Sequence, residues 1–105
     1  MLNNPRTNTF VNKFDTCINN YKSLIKNIAT EIIPANQTRA YACFTNNSSV
    51  DITLILGKSI DGTINKGIVI NPNGNYEINN LNLYLGKVSA ISDSDCQLSY
   101  AECSY

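Results

Sequence analysis

The 105-residue chain contains no histidine and no tryptophan. Without histidine, the Ser-His and Cys-His pairs that activate many enzyme nucleophiles cannot be assembled, and mixed Cys/His zinc sites are excluded with them. Net charge is also missing, because eight basic residues balance eight acidic ones. No long-range field therefore draws the chain to nucleic acid or to an anionic membrane. The lysines are dispersed and do not alternate with aromatics, which points the same way. No apolar run approaches the roughly 18 residues of a membrane span, and "MLNNPRTNTF" lacks the apolar region of a signal peptide. The reading is a soluble, unexported chain. Glycine is sparse, and Gly57, Gly62 and Gly67 lie too far apart to cradle a phosphate. No linker or internal repeat divides the chain, and its length suits one compact domain.

The acids that are present, Asp15, Glu31, Asp51, Asp61, Glu77, Asp93, Asp95 and Glu102, are scattered over turns and polar faces. They do not read as the facing carboxylate pair of a glycosidase. Asp93 and Asp95 in "DSD" suit a polar turn better than a calcium site, which needs several more oxygen ligands. The expectation is a non-enzymatic chain with no cofactor and no metal. The four cysteines, Cys17, Cys43, Cys96 and Cys103, include no C-x-x-C pair. All four read as reduced thiols, with Cys43 and Cys96 as small core hydrophobes. Tyr41, Tyr76, Tyr84, Tyr100 and Tyr105 offer a possible aromatic platform, so a small glycan-binding module is an alternative function.

Two periodicities divide the chain. Phe10, Cys17 and Leu24 are seven apart, as are Phe14, Tyr21 and Ile28, with Val11, Ile18 and Ile25 beside them. This spacing predicts an amphipathic helix within residues 1–27, with an extended arm as the alternative. Phe10, Phe14, Ile18, Tyr21 and Leu24 are then the candidate partner-binding residues. From residue 28 onward the period is two, with turn residues every eight to twelve positions. In "TRAYACFT", Ala40, Ala42 and Phe44 share one face and Arg39, Tyr41 and Cys43 the other. In "VDITLIL", Val50, Ile52, Leu54 and Leu56 face inward, while Asp51 and Thr53 face out. The "NNSS" between these strands predicts a hairpin loop, and "NPNG" predicts a type I turn. "GIVI", "NYEIN", "LYLGKVSAIS" and "CQLSYAEC" complete the strands. The fold class expected is all-β: an antiparallel β-sandwich, jelly-roll-like, of about seven or eight strands over residues 28–105, with the N-terminal helix or arm at 1–27.

Taken together, "IIPANQTRAYACFTNNSS", "ITLILGKS", "GIVINPNGNYEI" and "LYLGKVSAIS" resemble small β-sandwich structural proteins of tailed-phage virions. The resemblance falls on Pro34, Ala35, Asn36, Arg39, Asn46, Asn47, Ser48, Gly57, Gly67, Ile68, Pro72, Gly74, Leu83, Tyr84, Gly86, Val88, Ala90, Ile91 and Ser92. Ser89 departs from it, standing where an aromatic is common. The resemblance implies a non-enzymatic virion protein, first a decoration or cement protein on the capsid and second a neck, tail or fibre-base component. Its implied partners are the major capsid protein or neighbouring virion subunits, in a homo-oligomer with a trimer favoured. Its implied location is the virion, assembled in the bacterial host cytoplasm.

Overall fold

The computed structural model describes residues 16–58 and 64–105. These residues are all-β, with eight strands: β1 (Thr16–Leu24), β2 (Thr30–Ile33), β3 (Arg39–Thr45), β4 (Ile52–Leu56), β5 (Ile68–Ile70), β6 (Asn75–Ile78), β7 (Val88–Ile91) and β8 (Cys96–Ser104). They form two four-stranded antiparallel sheets, sheet A in the order β1-β8-β3-β6 and sheet B in the order β2-β7-β4-β5. Only β4 and β5 are neighbours both in sequence and in a sheet. Every other connection carries the chain from one sheet to the other.

The inner faces share one core, to which every strand contributes: Leu24, Ile32, Ile33, Ala42, Phe44, Ile52, Leu54, Ile70, Ile78, Val88, Ala90 and Leu98. Each of the larger of these side chains contributes about 1.5–3 kcal/mol through removal from water. Alternation produces this directly on β3, where Ala40, Ala42 and Phe44 are buried as expected. On β4, Ile52 and Leu54 are buried, but so is Thr53, because the chain just ahead of β5 lies over it and the Asn65 amide donates to Thr53 Oγ1 at 3.1 Å. Leu56, by contrast, is partly exposed at the strand end.

Where the helical period predicted a helix, residues 16–24 form a strand instead. A continuous nine-residue ladder along β8 holds it, running from Thr16 opposite Ser104 to Leu24 opposite Cys96. An extended chain satisfies the open edge of β8, which a helix cannot do. Phe10 and Phe14 lie outside the described residues.

The reduced state expected for all four cysteines is likewise corrected: Cys17 and Cys103 form a disulfide across β1 and β8. They sit directly opposite one another in the ladder, a proximity that 86 residues of separation hides. Of the other two, Cys96 packs partly against the core, whereas Cys43 faces outward from sheet A.

The "NNSS" segment is no hairpin. It crosses from β3 in sheet A to β4 in sheet B. "NPNG" makes a similar crossing from β5 to β6, with the Gly74 amide donating to the Asn71 carbonyl at 2.8 Å. Asn73 at the third position has φ of 68°, so this turn is type II rather than the expected type I. In "LYLGKVSAIS" only Val88–Ile91 is strand. The residues before it are drawn out of the ladder, for a reason that lies in Arg39.

Candidate functional site

Strand alternation assigns Arg39 to the outer face with Tyr41 and Cys43, yet it is only 1% exposed. The cause is a bulge. Arg39 lies opposite Ser104 and Tyr41 opposite Cys103, so Ala40 is an extra residue on β3 and Arg39 is turned inward. Four guanidinium N–H groups are then satisfied. Nε donates to Glu102 Oε2 at 2.7 Å, Nη1 to the Tyr84 and Gly86 carbonyls at 2.8 and 2.9 Å, and Nη2 to the Pro34 carbonyl at 2.7 Å. Asn36 closes the knot, its Nδ2 donating to Ser104 Oγ at 2.9 Å and its backbone amide to the Leu85 carbonyl at 2.8 Å. Tyr84 folds over Gly86, where a Cβ would collide with the Tyr84 phenol.

A second knot lies at the other end of β3. Asn46 is fully buried, and its Nδ2 donates to the Val50 and Ile70 carbonyls at 2.7 and 2.8 Å. Its Oδ1 accepts from the Ser48 amide and hydroxyl. Its backbone pairs with the neighbouring corner, the Asn46 amide donating to Gly74 O and the Asn73 amide to Asn46 O. Ser92 belongs to the same end, donating its hydroxyl to the Asp51 carbonyl at 2.9 Å. Arg39, Asn36, Asn46, Ser48 and Ser92, polar residues of the virion-protein resemblance, therefore tie the corners of the two sheets together. They act as fasteners of the fold.

Ligand-facing chemistry has to be sought on the surfaces these knots leave open. The registers give the outer face of sheet A directly: Tyr21, Ser99, Thr45 and Asn75 lie in one row, and Asn19, Ala101, Cys43 and Glu77 in the next. A shallow groove of about 290 Å³ runs between β1 and β3, floored by Ser99 and Ala101. Beside it the Tyr41 hydroxyl donates to Glu77, which also accepts from Asn79 Nδ2 at 3.1 Å. The hydrogen bond to Glu77 pushes the Tyr41 phenol well above its ordinary value, with burial and the nearby Cys43 adding to the shift. The Tyr41 hydroxyl and then the Asn79 amide hold the Glu77 carboxyl below its ordinary value.

The two groups give opposite pH dependences. Glu77, lowered in the folded state, contributes stability above the ordinary carboxylate range and loses it as pH falls through its own depressed value. Tyr41, raised in the folded state, contributes stability below about pH 10 and loses it as pH climbs through its folded value. Tyr41→Phe is expected to return the Glu77 titration toward about 4.3, measured by carboxyl carbon NMR. An unchanged midpoint would show that the phenol is not the cause.

The five tyrosines considered as a glycan platform are not gathered on one face: Tyr76, Tyr84 and Tyr100 pack against the core, while Tyr41 lies on the outer side of sheet A. Among the described residues no group of three or more metal-ligating side chains converges. The partner-binding stripe is divided as well. Leu24 is buried in the chain's own core, whereas Ile18 and Tyr21 are 53% and 54% exposed on opposite faces of β1. What the structure adds is the strand that carries them. Among the described residues β1 is an edge of sheet A, nine residues long, exposed from Thr16 to Ser23, and free of proline and of any bulge along its ladder. The other three edges, β6, β2 and β5, are four, four and three residues long. Sequence reasoning selected Ile18 and Tyr21 but on helical geometry, and nothing in the local pattern shows which strand lies at a sheet edge among the described residues. No protein-family model, curated protein or solved structure matches this chain.

Proposed function

We propose that this chain is a structural protein of a tailed-phage virion, a decoration or cement protein that binds the major capsid protein or neighbouring subunits in many copies. Strand order is the observation that supports the reading most. Sheets of order β1-β8-β3-β6 and β2-β7-β4-β5, with the chain crossing between them at all but one connection, correspond to a jelly roll. Capsid domains are one of the main uses of that architecture, and this is an analogy of fold, with function resting on surfaces. The resembling residues favour it further because they form the corner fasteners of the same architecture. A rigid body whose most accessible feature is one long sheet edge is suited to being tiled.

Quantitative mass spectrometry of purified particles tests the proposal. The expected result is the chain present at a copy number approaching that of the major capsid protein. About a dozen copies would point instead to a neck, tail or fibre-base position, and absence from particles would overturn the virion reading.

A further inference from the structure

We infer that β1 is a dimerisation strand, pairing antiparallel with β1 of a second copy about a two-fold axis at Asn20 and joining two copies of sheet A into one eight-stranded sheet. Half of the backbone groups of β1 point away from β8. Cys17 and Cys103 have Cα atoms 4.0 Å apart, which marks a narrow pair that exchanges no backbone hydrogen bonds. By alternation along the unbroken ladder, Asn19, Tyr21 and Ser23 are also in narrow pairs. The amides and carbonyls of Cys17, Asn19, Tyr21 and Ser23 therefore point away from β8 toward the free edge. Tyr21 supports this independently, because its amide is taken up by the side chain of Asn20 at 2.8 Å rather than by β8.

A second copy complements that edge. Two-fold pairing centred on Asn20 is the register that matches all nine residues from Thr16 to Leu24. It places Cys17 opposite the second copy's Ser23 and Asn19 opposite its Tyr21, so every outward-pointing group meets a partner. Ile18 then lies against the aliphatic stem of the second copy's Lys22. Lys22 is the single charge on β1, and this register sets no like charges opposite one another. Long, straight, uncharged edges are the ones proteins ordinarily blunt, and β1 carries no such device apart from its one lysine. The strand also places only Leu24 in the core, so most of its length has one bonded side and two wet faces. Pairing supplies the second bonded side.

The inference does not depend on the virion reading, since it concerns the isolated chain. Size-exclusion chromatography with light scattering on the full chain under non-reducing conditions is expected to give twice the chain mass at micromolar to millimolar concentration. Asn19→Pro removes an outward amide and no bond to β8, so it is expected to weaken dimerisation at least about tenfold with little change in the thermal melt. Asn20→Cys places two thiols in a narrow pair across the axis and is expected to give an intermolecular disulfide under mild oxidation, whereas Lys22→Cys, which faces Ile18, does not. A monomer at all concentrations, a trimeric mass, a dimer unaffected by Asn19→Pro, or equal cross-linking by the two cysteine variants would each overturn it.

Discussion

Replacing Arg39 with methionine is expected to cost about 3–5 kcal/mol of folding stability, the range for breaking a buried ion pair from one side. The side chain is fully enclosed, and its loss leaves the Glu102 carboxylate and the carbonyls of Pro34, Tyr84 and Gly86 without their donor. Thermal or urea unfolding reads this directly, and at this chain length the midpoint falls by more than about 10 °C. Arg39→Lys is not expected to rescue. An ammonium keeps the charge but lacks the planar fork that reaches Glu102 on one side and three carbonyls on the other. Adding Glu102→Gln to Arg39→Met removes the orphaned charge and is expected to recover part of the loss, with the double-mutant cycle giving the coupling. A single-variant cost below about 1 kcal/mol would mean that water replaces the guanidinium without penalty.

Reduction of the Cys17–Cys103 disulfide, or Cys17→Ser, is the second large effect. The bridge closes a loop over a separation of 86 residues, for which chain entropy alone gives about 4–5 kcal/mol and measured native bridges typically 2–4. The change is expected to begin locally. β1 is fastened by its ladder, by Leu24 and by this bridge, so without the bridge residues 16–23 exchange their amide hydrogens quickly while β3 and β4 stay protected. Hydrogen exchange with and without reductant measures both parts. Equal protection of β1 in the two states would show that the ladder alone suffices.

Which parts of this fold are legible in the sequence follows from the range of the interaction involved. β3 and β8 are readable because alternation is local: Ala40, Ala42 and Phe44, then Leu98 and Tyr100, announce their inner faces. β1 is misread because Cys17, Tyr21 and Leu24 are spaced three to four apart, as on a helix face, and the ladder that overrides this lies some 80 residues away in β8. The Arg39 knot did leave a trace. Glu102 is in phase with Leu98 and Tyr100, so an acid sits on an apolar face, and such an acid requires a cation. What hides the partner is the bulge at Ala40, which shifts Arg39 across the sheet by one residue. Asn46 reads as an ordinary loop residue because its two acceptors, Val50 and Ile70, meet only once both corners are built. The place of β1 at a sheet edge among the described residues is a property of sheet order, and no single segment encodes it.

The central place of β8 in sheet A has a consequence for the order of events during synthesis. The first described strand and the third are both neighbours of the last, so neither can complete its pairing until β8 has left the ribosome. At about 5–20 residues per second, the interval between β1 and β8 lasts several seconds, during which β3 offers an unpaired flank and the emerging chain holds its apolar residues without a finished core. Folding is therefore expected to be a late, nearly all-at-once closure dominated by contacts distant in sequence, in the slow range of small domains. Until that closure the thiols of Cys17 and Cys103 have no reason to meet. The bridge between them becomes a record that the closure took place.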